Sequence, residues 1–305
     1  NYTSDPANPL VGQVWYNATD NALKYFYIKP GSWATVNSMN TAREELAGCG
    51  IASAALAFGG VASGTRLRNT ESYNGTNWTE VNDLNTERSL LAGAGTTTSA
   101  LAFGGNAPPT GRAETELYNG TNWTEVNDLN TGRERLAGAG ANNTAALAIG
   151  GEVPAGPTVA ITELWNGTNW TEVNDLNTAI QFFAAVGTTT AALAFGGEPP
   201  ATDKTETWNG TNWTEVNDLN TARSKLAGAG TTTSALAFGG TPIASKGGLT
   251  ESWNGTNWTE LNDLNTPRET PSGAGTDNTS ALAFGGKGPG VTAATEEWVA
   301  GPQVK

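Results

Sequence analysis

Short runs of small and apolar residues alternate with polar turn sequences along the chain, and no stretch shows the spacing of an amphipathic helix. In a representative stretch, residues 91–96 and 99–103 are small or apolar and are separated by Thr97-Thr98. In the preceding stretch, residues 70–73 and 78–81 contain Thr, Tyr, Trp and Val around a polar turn. This pattern predicts a repeating unit of four strands, which we name a to d. Strands a and b are illustrated by residues 91–96 and 99–103. Strands c and d are illustrated by residues 70–73 and 78–81 of the preceding unit.

The turn residues support these strand boundaries. A glycine pair, Gly59-Gly60 in the first unit, ends strand b, and Asn74-Gly75 lies between strands c and d. Asn-Gly predicts a hairpin with a type I′ turn, because both central residues of that turn need positive φ. Residues 82–86 then form a polar connector to strand a of the next unit.

The four-strand unit is an internal repeat of about 45 residues. The segment TNWTEVNDLNT recurs unchanged from Thr76, Thr121, Thr168 and Thr211, and from Thr256 with Leu261 in place of valine. A degenerate sixth copy lies at residues 32–36. The anchoring tryptophans are spaced 45, 45, 47, 43 and 45 residues apart: Trp33, Trp78, Trp123, Trp170, Trp213 and Trp258. This period is typical of propeller blades, which predicts six of them.

Residue size predicts the position of each strand. Glycine and alanine suit strand a at the crowded axis, whereas Tyr73 and Trp78 suit the wider outer part of each blade. Strand d follows strand c only five times, so residues 32–36 are expected to pair with 295–299 and close the ring. The remaining run, 23–27, precedes Lys29-Pro30-Gly31 and is expected to add a fifth outer strand. Competition with 295–299 for position c is the alternative.

The fold prediction is therefore an all-β, six-bladed propeller of four-stranded antiparallel blades, closed by pairing of an N-terminal with a C-terminal strand. Residues 1–20 are assigned to a leader or anchor segment. Residues 21–305 are assigned to the propeller, whose closing blade is shared by 22–37 and 271–300.

Composition excludes several classes of function. The net charge of −13 argues against nucleic-acid and anionic-membrane partners, and no apolar run is long enough to insert into a bilayer. The absence of histidine rules out Ser-His-Asp and Cys-His catalysis and imidazole-based metal sites. Cys49 is the only cysteine and cannot form an internal disulfide. We therefore expect no enzymatic activity, no metal and no cofactor.

The repeated order of Arg43, Gly59-Gly60, Tyr73 and Trp78 resembles the kelch propeller repeat over about residues 40–300. In that family a glycine pair after the second strand is likewise followed by a tyrosine and a tryptophan. Only four residues separate Tyr73 from Trp78, fewer than is usual, so the resemblance is to a kelch-like variant. It implies an architecture, because kelch-like propellers include enzymes, adaptors and adhesins.

A second resemblance concerns the N-terminal segment. It rests on residues 5–9 (DPANP), 12–17 (GQVWYN), 21–25 (NALKY) and 31–33 (GSW). These are similar to a short module of bacteriophage tail and fibre proteins, and propellers with Asn-Gly-Thr-Asn-Trp-Thr repeats resemble those of marine phages. The resemblance implies a virion component.

The b-to-c loops differ in every unit, although the strands around them are nearly identical. Variable loops on a rigid scaffold are where binding usually resides. The loops are 61–69, 106–114, 152–161, 198–204, 241–249 and 287–294. Their basic residues are candidate ligand-binding residues for an acidic or polyhydroxyl surface: Arg66, Arg68, Arg112, Lys204, Lys246 and Lys287. Free drift of solvated loops is the alternative, and the lack of aromatic residues in these loops argues against a lectin pocket.

The connectors contain recurrent charged residues that we expect to be structural. Asp83 and its four equivalents favour turn capping over calcium binding, because one carboxylate per connector is too sparse for a calcium loop. Arg43 and its equivalents are expected to brace the corner by hydrogen bonds. In the fourth unit Ile180 replaces this arginine and Phe182-Phe183 follows, which predicts compensating core packing or an apolar contact patch.

Together these observations favour a non-enzymatic structural or receptor-binding protein of a phage virion, in a tail fibre, tail tip or surface appendage. Expected partners are other virion proteins, a host surface glycan or protein, and further copies of the chain. The alternative hypothesis is a secreted bacterial adhesin or protein-interaction propeller at a cell surface. An enzyme is a third hypothesis, which requires carboxylates converging near the axis.

Overall fold

Six antiparallel sheets surround a common axis in the computed structural model, which describes residues 2–6, 12–107 and 110–304. Two strands precede the first complete blade: β1 (Val14–Asn17) and β2 (Ala22–Val36). Blade 1 contains β3 (Ala47–Ile51), β4 (Ala54–Phe58), a loop ladder of β5 (Val61–Ala62) and β6 (Thr65–Arg66), then β7 (Thr70–Tyr73) and β8 (Trp78–Val81). Blade 2 contains β9 (Ala92–Thr96), β10 (Ser99–Phe103), a ladder of β11 (Asn106–Ala107) and β12 (Thr110–Gly111), then β13 (Thr115–Tyr118) and β14 (Trp123–Val126).

The remaining blades repeat the same order. Blade 3 contains β15 (Ala137–Asn142), β16 (Ala145–Ile149), β17 (Thr162–Trp165) and β18 (Trp170–Val173). Blade 4 contains β19 (Ala184–Thr188), β20 (Ala191–Phe195), β21 (Thr205–Trp208) and β22 (Trp213–Glu215). Blade 5 contains β23 (Ala227–Thr231), β24 (Ser234–Phe238), a short helix α1 (Ile243–Lys246), β25 (Thr250–Trp253) and β26 (Trp258–Glu260). Blade 6 contains β27 (Ser272–Asp277), β28 (Ser280–Phe284) and β29 (Thr295–Val304), together with β2 and β1.

The innermost strands close the ring. Each strand a packs against the strand a of the next blade, and β27 packs against β3 to complete the circle. Glycine and alanine allow this approach, because larger side chains would not fit between six strands around one axis. The predicted six-bladed all-β propeller is confirmed.

The closing blade is held together by the same contacts as the others. Trp33 in β2 donates its indole N–H to the hydroxyl of Thr250 in blade 5, over 2.9 Å. Trp123 makes the equivalent bond to Thr70 over 3.1 Å. Residues 32–36 pair in register with 295–299, with Trp33 opposite Trp298. The predicted closure by N-terminal and C-terminal strands is therefore confirmed.

The predicted identity of the fifth strand was wrong. Residues 23–27 do not fold back across Lys29-Pro30-Gly31, because β2 continues through this segment with a register shift between Lys29 and Ser32. The chain runs on because β29 extends to Val304 and gives it a partner strand. Gly31 allows a close approach, since a Cβ there would lie 1.8 Å from the Trp298 ring. The fifth outer strand is β1, which pairs with residues 22–25 of β2.

The turn between strands c and d also differs from the prediction. Four residues connect β7 to β8, so the hairpin is present but is not a two-residue type I′ turn. Gly75 has a positive φ of 89°, whereas Asn74 does not have a positive φ. Instead, the Asn74 side chain accepts the backbone N–H groups of Thr76 and Asn77, over 3.0 and 2.9 Å. The repeated asparagine thus stabilises the loop through its side chain.

The hydrophobic core lies between blades. The strand-b phenylalanine of one blade packs against the strand-d tryptophan of the next, as in Phe58 and Trp123, whose ring centroids are 5.0 Å apart. The same phenylalanine covers a strand-a glycine of the next blade. A Cβ on Gly93 would lie 2.5 Å from the Phe58 ring, so this position excludes a larger residue.

At the interface between blades 3 and 4, different residues occupy the positions of this phenylalanine and glycine. Ala185 occupies the position of Gly93, and Ile149 occupies the position of Phe58. Isoleucine lacks the distal ring atoms that approach glycine elsewhere, which leaves room for the alanine Cβ. The two changes therefore compensate across one interface.

The connector arginines brace the corners of the five blades that contain them, as predicted. The Arg43 side chain is fully buried and its Nη2 lies 2.8 Å from Oε1 of Glu71. Equivalent buried pairs form in the other blades that contain the arginine: Arg88–Glu116, Arg133–Glu163, Arg223–Glu251 and Arg268–Glu296. Burial lowers the pKa of each guanidinium, and the facing glutamate opposes that shift.

Four of the five connector aspartates cap a strand, not their own turn. Asp83 Oδ1 accepts the backbone N–H of Thr70, the first residue of β7, over 3.1 Å. Asp128, Asp175 and Asp218 make the same bond in blades 2 to 4. The local turn capping that we predicted is thus a longer-range contact, made because the connector returns beside the start of strand c.

Candidate binding face

The two ends of the propeller differ in sequence variation. The a-to-b and c-to-d turns emerge at one end, the turn face, and are mostly Thr-rich or Asn-Gly-Thr-Asn. The b-to-c loops and the connectors emerge at the other end, the loop face. Because the variable segments lie on the loop face, it is the candidate binding face.

Six residues, one per blade, surround the axis on the loop face. Each lies two residues before the first residue of strand a. Each has a φ between 48° and 58°, although none is glycine. They form the rim of a cavity of about 90 Å³. We call this ring the axial mouth: Glu45, Leu90, Arg135, Phe182, Lys225 and Thr270. The side chain is different in every blade, so the mouth is irregular although the ring beneath it is nearly symmetric.

Backbone hydrogen bonds hold the axial mouth in this unusual conformation. Five of its residues donate their backbone N–H to the carbonyl oxygen of the preceding blade's member, over 2.7–3.0 Å. The left-handed conformation directs these groups along the ring. Positive φ at non-glycine residues costs free energy and persists where surrounding contacts determine it. The mouth is therefore a preformed feature of the fold.

The floor of the cavity is apolar, and four of the six rim residues are polar or charged. Leu46, Phe183 and the equivalent residues of the other blades form the floor. On the rim, Phe182 lies between two cations, with the Arg135 guanidinium 5.0 Å and Lys225 Nζ 5.4 Å from its ring centroid. Burial raises the pKa of Glu45 above its ordinary value. Such a basin offers both apolar contact and hydrogen bonds to a protruding group.

A second ring of side chains links the mouth to the loops. Arg135 pairs with Glu134 at 3.3 Å and also with Glu152 of the same blade. Lys225 pairs with Glu269 of the next blade, at 3.3 Å. These partners neutralise both cations, so the mouth does not present free positive charge. Shape and hydrogen bonding would therefore dominate recognition here.

The six basic residues predicted as ligand-binding belong to loops of the loop face and do not line the axial cavity, and each has a partner within the protein. Arg68, Arg112, Lys204 and Lys287 pair with Asp83, Glu114, Glu215 and Glu44, over 3.8, 2.8, 2.8 and 3.5 Å. Arg66 donates to the Asn106 side chain, and Lys246 donates to the Ala222 carbonyl. They do not converge on one point, and their role in binding stays a prediction.

The structure supports core packing for part of the fourth-unit apolar cluster. Ile180 and Phe183 are buried in one cluster with Ile149, which is core packing. Phe182 is half-buried on the axial mouth, and its role as a contact residue stays a prediction. Sequence reasoning missed the mouth, although one signal was present. At the second position after the connector arginine, the repeats carry a different residue each time.

The channel along the axis below the mouth is narrow and is lined by small side chains without charge. Its wall at the turn face consists of strand-a glycines and alanines with Val186 and Cys49, around a cavity of about 110 Å³. Burial raises the pKa of Cys49 to about 12, so its thiol is protonated at neutral pH. In residues 2–6, 12–107 and 110–304, no group of three or more cysteine and acidic side chains is placed to hold a metal ion.

The structure defines the protein as a six-bladed β-propeller. No protein-family model matches the chain, and no curated protein matches it in sequence. Among the described residues, no helix has the length and apolar character needed to cross a membrane. Residues 7–9 of the N-terminal motif and 108–109 of the second b-to-c loop lie outside the described residues.

Proposed function

We propose that the protein is a non-enzymatic binding component of a bacteriophage virion, in a tail fibre, tail tip or surface appendage, and that it contacts its target through the loop face. The observation that carries this proposal is the confinement of variation to one end of a rigid ring. The b-to-c loops and the axial mouth differ from blade to blade, whereas the turn face is nearly repeated. Selection for binding on one face would produce this contrast, because variable loops on a rigid scaffold are where binding usually resides.

The chemistry of the loop face favours a protein or glycan surface as the target. The loops carry Arg68 in an ion pair and Arg66 in a hydrogen bond to Asn106, while the mouth offers Phe182 above an apolar floor. The net charge of −13 disfavours nucleic acid. Several weak contacts would add by avidity if each particle carries several copies. The resemblance of the N-terminal segment and of the Asn-Gly-Thr-Asn-Trp-Thr repeats to phage proteins supports the assignment to a tail structure.

Two experiments test this proposal. Mass spectrometry of purified particles should detect the chain, and its absence from them would exclude a virion role. The purified propeller should also bind host cells, and Phe182→Ser or Arg68→Glu should weaken that binding. The matched control is Thr98→Glu, which places a charge at an exposed position of the turn face. Equal loss of binding in the control would contradict a role specific to the loop face.

The alternative is a secreted adhesin or protein-interaction propeller at a bacterial surface, which would use the same face. Cell fractionation and genome neighbourhood distinguish the two: a virion protein is encoded among other structural genes of the particle. The loop-face variants apply equally to this second candidate, so a positive result with them supports binding in either setting.

A further inference from the structure

The corner of blade 4 contains a buried glutamate without the arginine that pairs with it elsewhere. Ile180 occupies the arginine position, and Glu206 is only 5% exposed. Oε2 of Glu206 accepts the backbone N–H and side-chain amide of Asn177, over 2.9 and 2.7 Å. Among the described residues, none donates a hydrogen bond to Oε1. Burying a carboxylate without a cation is costly, so this corner differs chemically from the other five.

The five sister corners show what the surrounding oxygens can hold. In blade 1 the Arg43 guanidinium donates to the carbonyls of Gly59 and Asn69, over 3.4 and 2.6 Å, in addition to Glu71. The blade 4 equivalents of these carbonyls belong to Gly196 and Lys204. Both residues and Glu206 line a cavity of about 10 Å³. The cavity has room for about one water-sized group. The equivalent oxygen atoms of the other blades bind the arginine guanidinium.

A larger cavity of about 260 Å³, which we call the vestibule, adjoins this inner cavity. The two cavities share Thr178, Ile180 and Lys204 as lining residues, and exposed Pro200 and Ala201 line the outer part of the vestibule. The b-to-c loop here, 198–204, is the shortest of the six. A short loop covers less of the corner, which explains why solvent reaches the vestibule.

The charges around the vestibule favour a cation. Glu198 and Asp203 line it, and Glu206 lies at its inner end. The one basic residue of the lining is Lys204, whose Nζ is directed to Glu215 at 2.8 Å. The three carboxylates outnumber the single ammonium of Lys204, which is already paired with Glu215. This part of the loop face therefore has a negative potential.

We propose that blade 4 binds a primary alkylammonium group, with its nitrogen in the inner cavity and its alkyl chain in the vestibule. The ammonium has three donors for three acceptors: Glu206 Oε1 and the carbonyl oxygens of Gly196 and Lys204. Size selects ammonium over guanidinium, since about 10 Å³ holds one heavy atom and not a planar group of four. A lysine side chain of a partner protein and a small amine share this chemistry. The proposal does not depend on a virion role.

Isothermal titration calorimetry of the full chain with n-butylammonium chloride tests the proposal, with tetramethylammonium chloride as the control salt. Wild type should bind one equivalent of n-butylammonium saturably and should not bind tetramethylammonium, which has no N–H donor. Ile180→Arg should abolish binding, because it places the sister-blade guanidinium in the cavity. Glu206→Gln should weaken binding about tenfold or more, since a charged hydrogen bond is lost. Glu172→Gln, an exposed change of the same charge on blade 3, should leave binding unaltered.

Several outcomes would overturn the proposal. These are no saturable binding to wild type at millimolar concentrations, equal binding of both salts, retained binding in folded Ile180→Arg, or tighter binding of methylguanidinium. Circular dichroism establishes that each variant is folded. If Ile180→Arg does not fold, the nearly isosteric Glu206→Gln still decides whether the carboxylate is required. Titration with Nα-acetyl-lysine amide, whose side-chain ammonium is free, then distinguishes a protein-borne ammonium from a free amine.

Discussion

Blades 2 and 4 share one set of strands but differ at their corners and at the interface each makes with the preceding blade. Blade 2 has the buried pair Arg88–Glu116, and its strand a presents Gly93 to Phe58. Blade 4 has Ile180 beside Glu206, and its strand a presents Ala185 to Ile149. Because the other blades follow the blade 2 pattern, they serve as internal controls for blade 4. The comparison indicates that the ring tolerates a different local solution when facing residues change together.

The largest contrast is expected when the corner glutamate is replaced by glutamine in each blade. Glu116→Gln leaves the fully buried Arg88 without its anion, which should cost about 3–5 kcal/mol of unfolding free energy. Glu206→Gln removes a carboxylate that has no cation, so the change should be near zero or stabilising. Urea denaturation of both variants measures the difference. Equal losses would show that the two corners are energetically alike.

The compensation between blades 3 and 4 can be broken and restored. Ile149→Phe should place ring atoms against the Ala185 Cβ and cost about 1–3 kcal/mol by overpacking. Adding Ala185→Gly should recover much of that loss, because it recreates the Phe58–Gly93 arrangement of blade 2. A double-mutant cycle on thermal or urea unfolding gives the coupling energy. Additive effects of the two changes would contradict direct compensation.

The closing blade should behave as an ordinary interface when its tryptophan loses a hydrogen-bond acceptor. Thr250→Val removes the acceptor of Trp33, and Thr70→Val removes that of Trp123. Each should cost about 1 kcal/mol, since a buried indole N–H is left without a partner. The two variants should have similar urea midpoints. A much smaller loss for Thr250→Val would show that the ring is only loosely closed in solution.

The smallest effect concerns Glu45, which only blade 1 places at the axial mouth. Burial raises the pKa of Glu45 in the folded state, so its ionisation costs stability as pH rises through that folded pKa. Glu45→Gln should therefore be slightly more stable than wild type at neutral pH, and the difference should disappear on acidification below the ordinary glutamate range. Parallel melting curves across pH measure this. Leu90→Ala, at the same position of blade 2, should show no such pH dependence.

The repeat made most of the fold predictable. Within the first unit the predicted strands c and d, 70–73 and 78–81, agree with β7 and β8, because near-identical copies fix strand limits. The continuous β2 was not predictable in the same way, since its outer half pairs with residues 301–304, a segment without a repeat equivalent. Lys29-Pro30-Gly31 therefore suggested a turn where the structure has a strand.

The candidate site was only partly predictable. Loop variation indicates the loop face as the candidate binding face, because strand direction alone assigns loops to a face. The axial mouth needs a three-dimensional fact: the residue two positions before strand a, such as Phe182, lies around the axis in a left-handed conformation. The inner cavity of blade 4 was signalled by Ile180, but its lining by Glu206 depends on contacts between residues 26 positions apart.

The position of Trp33 imposes an order on folding during synthesis. The ribosome makes Trp33 265 residues before Trp298, its partner across the closing blade (298 − 33 = 265). Blades 1 to 5 can form one after another as they emerge, whereas the early strand must wait with its hydrogen-bonding edge exposed. The last step joins the most distant parts of the chain and is therefore expected to be slow. A nascent chain arrested before Trp298 should be an open arc whose free edge is available to chaperones or to another copy.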